Sequence, residues 1–454
     1  MGIPVVTVGR DRDDLVGGLE RLHGPVSVVR RCSELAELLA ACQTGLARAA
    51  VVAEGSGELT ATLVDRLAAV GVAVVALTDS PEESARLRGI GVTAEISGLE
   101  AAELAALIAV AVAQLAGARP GPPASGFADP AAALRAQAGA PDHGPGRQAD
   151  GGAGSATEDG DRPGEPGTGT GRIIAVWGPT GSPGRTLVAA NMAGELAAEG
   201  KSVLLVDADS YGASVAAVLG LLDEAAGLAQ ACRLADQGLL DCAALLRIAA
   251  PVSIRAGTFR VLTGITRADR WTELRAAALS LVYERAREIA EVTVIDAGFC
   301  LEADEELSFD SMAPRRNAAT LRSLELADVV YAVGAADPVG VPRLVRGLTE
   351  LDAAVPGARP RVVLNKVRTS AVGRSPERQL RDAWARYGPT MPLEAFLPAD
   401  PAACDAALLA GSLLLESGPE SALRGAIRSL VCAAVQQNRK SSVLSSTAKP
   451  RLKD

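Results

Sequence analysis

The chain has 454 residues, enough for two or three domains. Hydrophobic residues make up 48% but aromatics only 3%, so a core must be built from Ala, Val, Leu and Ile, as in the buried parallel strands of α/β layers. A net charge of -9 excludes a global field for DNA or anionic lipid, and seven cysteines without a C-x-x-C pair, beside two histidines, exclude zinc-site spacing.

The first 118 residues alternate strand and helix signals. Strands are expected at 3–9, 26–29, 48–53, 72–77 and 93–96, with helices at 11–22, 33–42, 59–70, 80–88 and 99–115. Such alternation implies a doubly wound parallel sheet. The apolar run 101–116 carries Glu103 and falls short of a membrane span. Val5 to Val8 is too short for a signal peptide, so a cytoplasmic location is expected. In residues 119–171, 21 of 53 are Gly or Pro, above the roughly 25–30% that marks low complexity. This predicts a disordered linker, with a short helix at 130–137. A second α/β domain is expected over 172–437, and a disordered tail over 438–454.

That second domain opens on an apolar strand at 173–177 and a helix from Leu187. Between them lies Gly178, Pro179, Thr180, Gly181, Ser182, Pro183, Gly184, Arg185 and Thr186. A glycine-rich loop between a strand and a helix N-terminus is the layout of a phosphate cradle, because backbone N–H groups and the helix dipole both favour an anion. The P-loop pattern is G-x-x-x-x-G-K-[ST]. Here Gly184 and Thr186 fit it, Arg185 stands in the lysine position and Pro179 in that of the first glycine.

Further strands deliver polar groups to one sheet edge. One ends in Asp207 and Asp209, one in Asp296, one in Asn365 and Lys366. Strand ends in a parallel sheet are where ligands bind. The expected roles are Thr186 and Asp296 for Mg²⁺, with Asp207 beside them, Asp209 for the attacking water and Asn365 for the base edge.

Across 172 to about 430 this ordered set resembles the MinD/ParA-type ATPases of the P-loop superfamily. The resemblance implies ATP and Mg²⁺ as cofactors, a nucleotide-dependent homodimer, and protein partners in a positioning or assembly system. Thr180 aligns with the family's signature lysine and Arg185 with its phosphate lysine. Pro398 and Asp400 resemble its P-x-D loop beside the adenine. The first 118 residues resemble a receiver domain in element order and size. The carboxylate pair is replaced by Gly9 and Arg10, the phosphoacceptor by Glu54 and the lysine by Ser97 or Gly98. This is a pseudo-receiver pattern, with Glu54 either a solvated loop residue or a fixed charge that mimics activation. A receiver-like domain joined to such an ATPase looks like the CpaE-type branch of pilus assembly and localisation.

The departures carry consequences. Arg185 makes bidentate phosphate contacts and displaces charge from the γ-phosphate, which slows hydrolysis. Pro179 and Pro183 each remove an N–H from the cradle. Arg315 and Arg316 follow an acidic run after Asp296 and are read either as a replacement cation or as surface charge balancing that run. Apolar residues at helical spacing over 421–437 read as a last core helix, or else as a weak membrane anchor. Three functions compete: an ATP-dependent spatial switch, a degenerate pseudo-ATPase scaffold, and a ParA-like DNA partition protein, which the acidic charge opposes.

Overall fold

A computed structural model describes residues 2–9, 15–22, 24–53, 55–96, 99–118, 171–221, 225–303 and 314–432. Arg10, Glu54, Ser97, Gly98, all of the expected 119–171 linker but Gly171, most of the acidic run after Glu302 and the tail lie outside the described residues.

The first sheet contains β1 (Ile3–Val8), β2 (Val26–Cys32), β3 (Ala49–Val52), β4 (Ala73–Thr78) and β5 (Thr93–Ile96). Its order is β2-β1-β3-β4-β5, and every neighbour pair is parallel. Helices α1 (Leu15–Arg21), α2 (Leu35–Gln43), α3 (Ala61–Ala69) and α4 (Pro81–Gly89) make the crossovers, and α5 (Ala101–Ala118) follows the last strand. Strand side chains alternate between faces, so Val6, Val8, Val52 and Val74 pack with Leu38, Leu67 and Leu87. Val5, Val51 and Val75 pack on the opposite face with Leu19, Leu104 and Ile108. This is the doubly wound arrangement the alternation implies.

The second sheet contains β6 (Arg172–Trp177), β7 (Val203–Ala208), β8 (Ala250–Ile254), β9 (Gly257–Leu262), β10 (Val292–Ala297), β11 (Val329–Ala335), β12 (Pro360–Val367) and β13 (Leu393–Pro398). Its order is β13-β12-β11-β6-β10-β7-β9-β8. All pairs are parallel except β8 with β9. The hairpin β8–β9 carries the antiparallel edge, where Pro251 is tolerated because an edge strand can leave one side of its ladder unpaired.

The helices needed below are α6 (Arg185–Ala198), α7 (Val215–Val218), α8 (Gly227–Asp236), α9 (Cys242–Ile248), α10 (Ala276–Ile289), α11 (Ala318–Leu326), α12 (Gly340–Ala354), α13 (Thr369–Val372), α14 (Pro376–Tyr387) and α15 (Pro401–Ala410). α6 is buried along most of its length: Val188, Met192 and Leu196 pack on β6, β7 and β10. Register then sets the site. Asp296 on β10 stands opposite Asp207 on β7, and Asn365 on β12 opposite Ala335 on β11. The strand-end carboxylates and amide therefore reach one edge.

The two domains touch through α3, which lies against α8 and α10. Ala277 and Leu281 of α10 pack against the first domain's core. Asp236 at the end of α8 accepts from the Thr62 backbone N–H at 2.8 Å. Arg86 Nη1 donates to the Gln237 carbonyl at 2.9 Å.

Candidate functional site

The loop 178–184 turns sharply between β6 and α6. Gly181 and Gly184 have φ of 108° and 97°, and Ser182 adopts 51°, a left-handed value uncommon outside glycine. A Cβ on Gly184 would collide with Asn365 Nδ2, so glycine is required there. Gly184 caps α6 without a side-chain acceptor. The first-turn N–H groups of a helix have no intrahelical partner, so this end is suited to an anion.

A cavity of about 790 Å³ opens beside the loop. Ser182, Pro183, Gly184, Arg185, Thr186 and Leu187 form one wall, with Asp209 beside them. Asn365, Lys366, Pro398 and Asp400 also line it. Pro179, Thr180 and Gly181 sit instead on a smaller hollow of about 110 Å³ against Arg343. The structure thus brings together most of the residues named from sequence and leaves the start of the loop on another face.

Arg185 points inward. Its Nη2 donates to Asp209 Oδ2 at 3.0 Å and its Nη1 to the Gly178 carbonyl at 2.9 Å. The two side chains are 12% and 8% exposed, a largely desolvated pair. Asp209 Oδ1 also accepts from the Tyr211 and Gly212 N–H groups at 2.9 and 3.1 Å. Phe299 lies 6.0 Å from the guanidinium and 4.8 Å from the Tyr211 ring. Arg185 is therefore committed to a carboxylate and a carbonyl.

Asp207 is held by the Ser214 and Val215 N–H groups at 2.9 and 3.0 Å. Burial nevertheless dominates and pushes its carboxyl up to about 6. Asp296 is different. Both its oxygens are buried without a hydrogen-bond partner among the described residues. Burial first, and the charge of Asp207 second, raise its carboxyl well above the usual range, while the nearby Thr186 hydroxyl and Arg185 pull it down. Thr186 Oγ1 itself meets Ser214 Oγ at 3.3 Å. Among the described residues no cluster of three or more His, Cys, Asp or Glu side chains could hold a metal. An orphaned carboxylate with a neighbouring hydroxyl does fit Mg²⁺, which takes one or two carboxylates and completes its shell from phosphate and water.

Asn365 and Lys366 brace the loop. Asn365 Nδ2 donates to the Pro183 carbonyl at 2.8 Å, and Lys366 Nζ to the Ser182 carbonyl at 2.8 Å. Asn365 Oδ1 accepts from the Lys366 N–H, and Lys366 sits at φ 60°. Asp400 caps α15 through the Ala403 N–H at 3.1 Å and accepts from Ser421 Oγ at 2.7 Å. Arg315 lines a cavity against the first domain. Arg316 lies 4.0 Å over the Tyr211 ring, and its carbonyl accepts from Ser210. Sequence reading missed Tyr211 and Phe299. Their signal was their position, two residues after Asp209 and three after Asp296, in a chain with few aromatics.

Residues 169–237 match the ParA family model, described as the NUBPL iron-transfer P-loop NTPase. That segment holds the loop, α6, Asp207 and Asp209. A search of the curated proteins finds no match. Among solved structures, the cell division ATPase MinD of Pyrococcus furiosus is similar at 21% identity and TM-score 0.46, over 59% of this chain and 99% of that one. A ParA family ATPase from Chlorobium tepidum gives 19% and 0.47, over 57% and 98%. The septum site-determining protein MinD of Pyrococcus horikoshii, solved with Mg-ADP, gives 21% and 0.43, over 57% and 94%.

Proposed function

We propose that the chain is a MinD/ParA-like, ATP-dependent switch of the CpaE-like kind, with a pseudo-receiver domain that docks on its ATPase domain. The observation that carries this reading is Asp296: a buried carboxylate with both oxygens unpartnered, beside Thr186 and at the foot of an uncapped helix N-terminus. Such a group is costly unless a cation or proton joins it. The match of 169–237 to the ParA family model supports the same assignment.

In this reading the α6 N-terminus and the Ser182 to Thr186 backbone hold the phosphates. Thr186 and Asp296 hold Mg²⁺, which when bound neutralises phosphate charge. Asn365 and Lys366 keep the loop in shape, and the base lies toward Pro398 and Asp400. Asp209 orients the attacking water once Arg185 has left it for a phosphate oxygen. Nucleotide state then alters the contacts of the chain with a second copy or with a protein partner of a positioning or assembly machine.

The Arg185–Asp209 pair favours a second reading, a pseudo-ATPase that binds nucleotide without turning it over. Its guanidinium and carboxylate occupy each other. Equilibrium binding of a fluorescent ATP analogue, with and without Mg²⁺, and phosphate release by the same protein separate the readings. Mg²⁺-dependent binding with slow release supports the switch. Binding with no release supports the scaffold. No binding at millimolar ATP rejects both.

A further inference from the structure

Two aromatic rings stand beside the Arg185–Asp209 pair, in a chain that has only five phenylalanines and four tyrosines. We propose that Phe299 and Tyr211 are positioning residues for Arg185. The ring pair, held in place by Arg316 and Asn317, sets the direction of the loop guanidinium toward Asp209 and toward an incoming phosphate. The phosphate half of that role rests on the nucleotide reading given above; the Asp209 half does not.

Strand register brings the rings together. Ala208 on β7 stands opposite Ala297 on β10, so the residues just past the two strand ends emerge side by side. Tyr211 and Phe299 are among those residues, with centroids 4.8 Å apart and planes tilted by 44°. Favourable aromatic pairs lie roughly 4.5–7 Å apart. Phe299 is pinned through its backbone. Its carbonyl accepts from Trp177 Nε1 at 3.3 Å, and the chain before it runs so close to α11 that a Cβ on Gly298 would meet Thr320 Oγ1 at 2.7 Å. Tyr211 is pinned from several sides. Its N–H donates to Asp209 Oδ1 at 2.9 Å and its hydroxyl to Asn317 Oδ1 at 2.9 Å, while Asn317 Nδ2 donates to the Glu302 carbonyl at 2.8 Å. The Arg316 guanidinium covers the ring at 4.0 Å. Its buried Nε has no acceptor among the described residues, so the ring face is the electron-rich surface that meets it.

Arg185 completes the row. Its Cζ lies 6.0 Å from the Phe299 centroid, at the outer limit of a cation–π contact, while its two terminal nitrogens hold Asp209 and the Gly178 carbonyl. A guanidinium is planar and presents its donors as a fixed fork, so a flat neighbour that orients it decides which acceptors it reaches. The acid ties the same parts a second time. Arg185 Nη2 binds one oxygen of Asp209 and the Tyr211 N–H binds the other. A lysine in place of Arg185 would have no plane to orient, and the rings beside it would only fill space.

The test is a double-mutant cycle in the full-length protein. It is read as thermal unfolding in EDTA without nucleotide, and as the dissociation constant of a fluorescent ATP analogue with Mg²⁺. Phe299→Leu, Phe299→Tyr and Tyr211→Leu are each made with Arg185 and with Arg185→Lys. With Arg185 present, Phe299→Leu is expected to lower the melting temperature and to weaken the analogue roughly 5-fold. In the Arg185→Lys background both losses should shrink to about half or less. Phe299→Tyr, which keeps the ring, should restore both with Arg185. Equal losses in the two backgrounds in either readout, or a Phe299→Tyr no better than Phe299→Leu, overturn the proposal and leave the rings as packing. Should circular dichroism show that Phe299→Leu does not fold, Tyr211→Leu carries the cycle. A parent protein that binds no analogue rejects the nucleotide reading alone, and the melting cycle then decides whether the rings position Arg185.

Discussion

At the scale of single residues the site is governed by two buried electrostatic arrangements. The first is the Arg185–Asp209 pair. Breaking a buried pair leaves one charge uncompensated. In Asp209→Ala the freed guanidinium would meet an incoming phosphate without competition. Nucleotide affinity is expected to rise on the order of 10-fold, about 1.4 kcal/mol, while phosphate release falls to background. The melting temperature of the nucleotide-free variant is expected to drop and to recover with ATP. Unchanged affinity would show that Arg185 does not exchange between carboxylate and phosphate.

The second arrangement is Asp207 with Asp296. A carboxyl raised in the folded state contributes its stability below its unfolded value and loses it as pH rises through the folded one. For Asp207 that window runs from about 4 to about 6, and for Asp296 it extends higher. Without metal the protein should therefore lose stability as pH rises from about 4 to about 6 on account of Asp207, and go on losing it at higher pH on account of Asp296. Asp296→Asn removes the group whose ionisation costs stability and is expected to raise metal-free stability at the alkaline end of the range by about 1–3 kcal/mol, while abolishing stabilisation by Mg²⁺ and ATP. Thermal unfolding in EDTA across this pH range checks both halves. A variant less stable than the parent at that alkaline end would contradict the assignment.

At the scale of elements, what sequence reveals depends on distance along the chain. Strands β1, β3, β4, β6, β7 and β10 were legible because buried parallel strands are unbroken aliphatic runs. The hairpin β8–β9 was not, because Pro251, Ser253 and Arg260 interrupt its apolar pattern. The loop and the strand-end carboxylates were legible as motifs. Which groups pair there was not: Arg185 and Asp209 lie 24 residues apart, and Asn365 reaches the loop from 182 residues away. Asn365 carries the lesson clearly. Its amide braces Pro183, a contact set by the adjacency of β12, β11 and β6. Helix α15 gives the prediction at this scale. Asp400 caps it at one oxygen and takes the Ser421 hydroxyl at the other. The Ser421 hydroxyl and the Ala403 N–H hold the Asp400 carboxyl below its usual range. A lowered carboxyl supplies stability above its unfolded value and loses it as pH falls through the folded one. Asp400→Ala should lower the melting temperature at pH 7 and lose that deficit progressively as pH falls below about 4. An equal deficit at both pH values would mean that the cap's charge contributes nothing.

At the scale of the whole molecule the question is why the first domain stays on the second. Asp236 is the final residue of α8, where the helix dipole disfavours a negative charge. Two positive partners offset that penalty. One is Arg275 at 3.4 Å. The other is the partial positive charge at the N-terminus of α3 in the other domain, where Thr62 N–H donates to Asp236 at 2.8 Å and the Thr62 hydroxyl donates to the same oxygen. Thr60 already caps the Leu63 N–H, so Asp236 takes the orphan donor next to it. Arg275 offsets the charge from within the same domain and the α3 N-terminus adds two donors from the other, which makes this contact a specific docking element rather than a surface pair. A double-mutant cycle in the full-length protein tests it. Asp236→Ala and Thr62→Val should each destabilise the docked first domain, seen as an earlier melting transition of its own. Together they should cost less than the sum of the two, with a coupling of about 1.5–3 kcal/mol, the range for hydrogen bonds to charged groups. Strict additivity would mean that the Thr62 hydroxyl and the Asp236 carboxylate do not act on each other, leaving docking to the Arg86–Gln237 bond and the apolar contacts of Ala277 and Leu281.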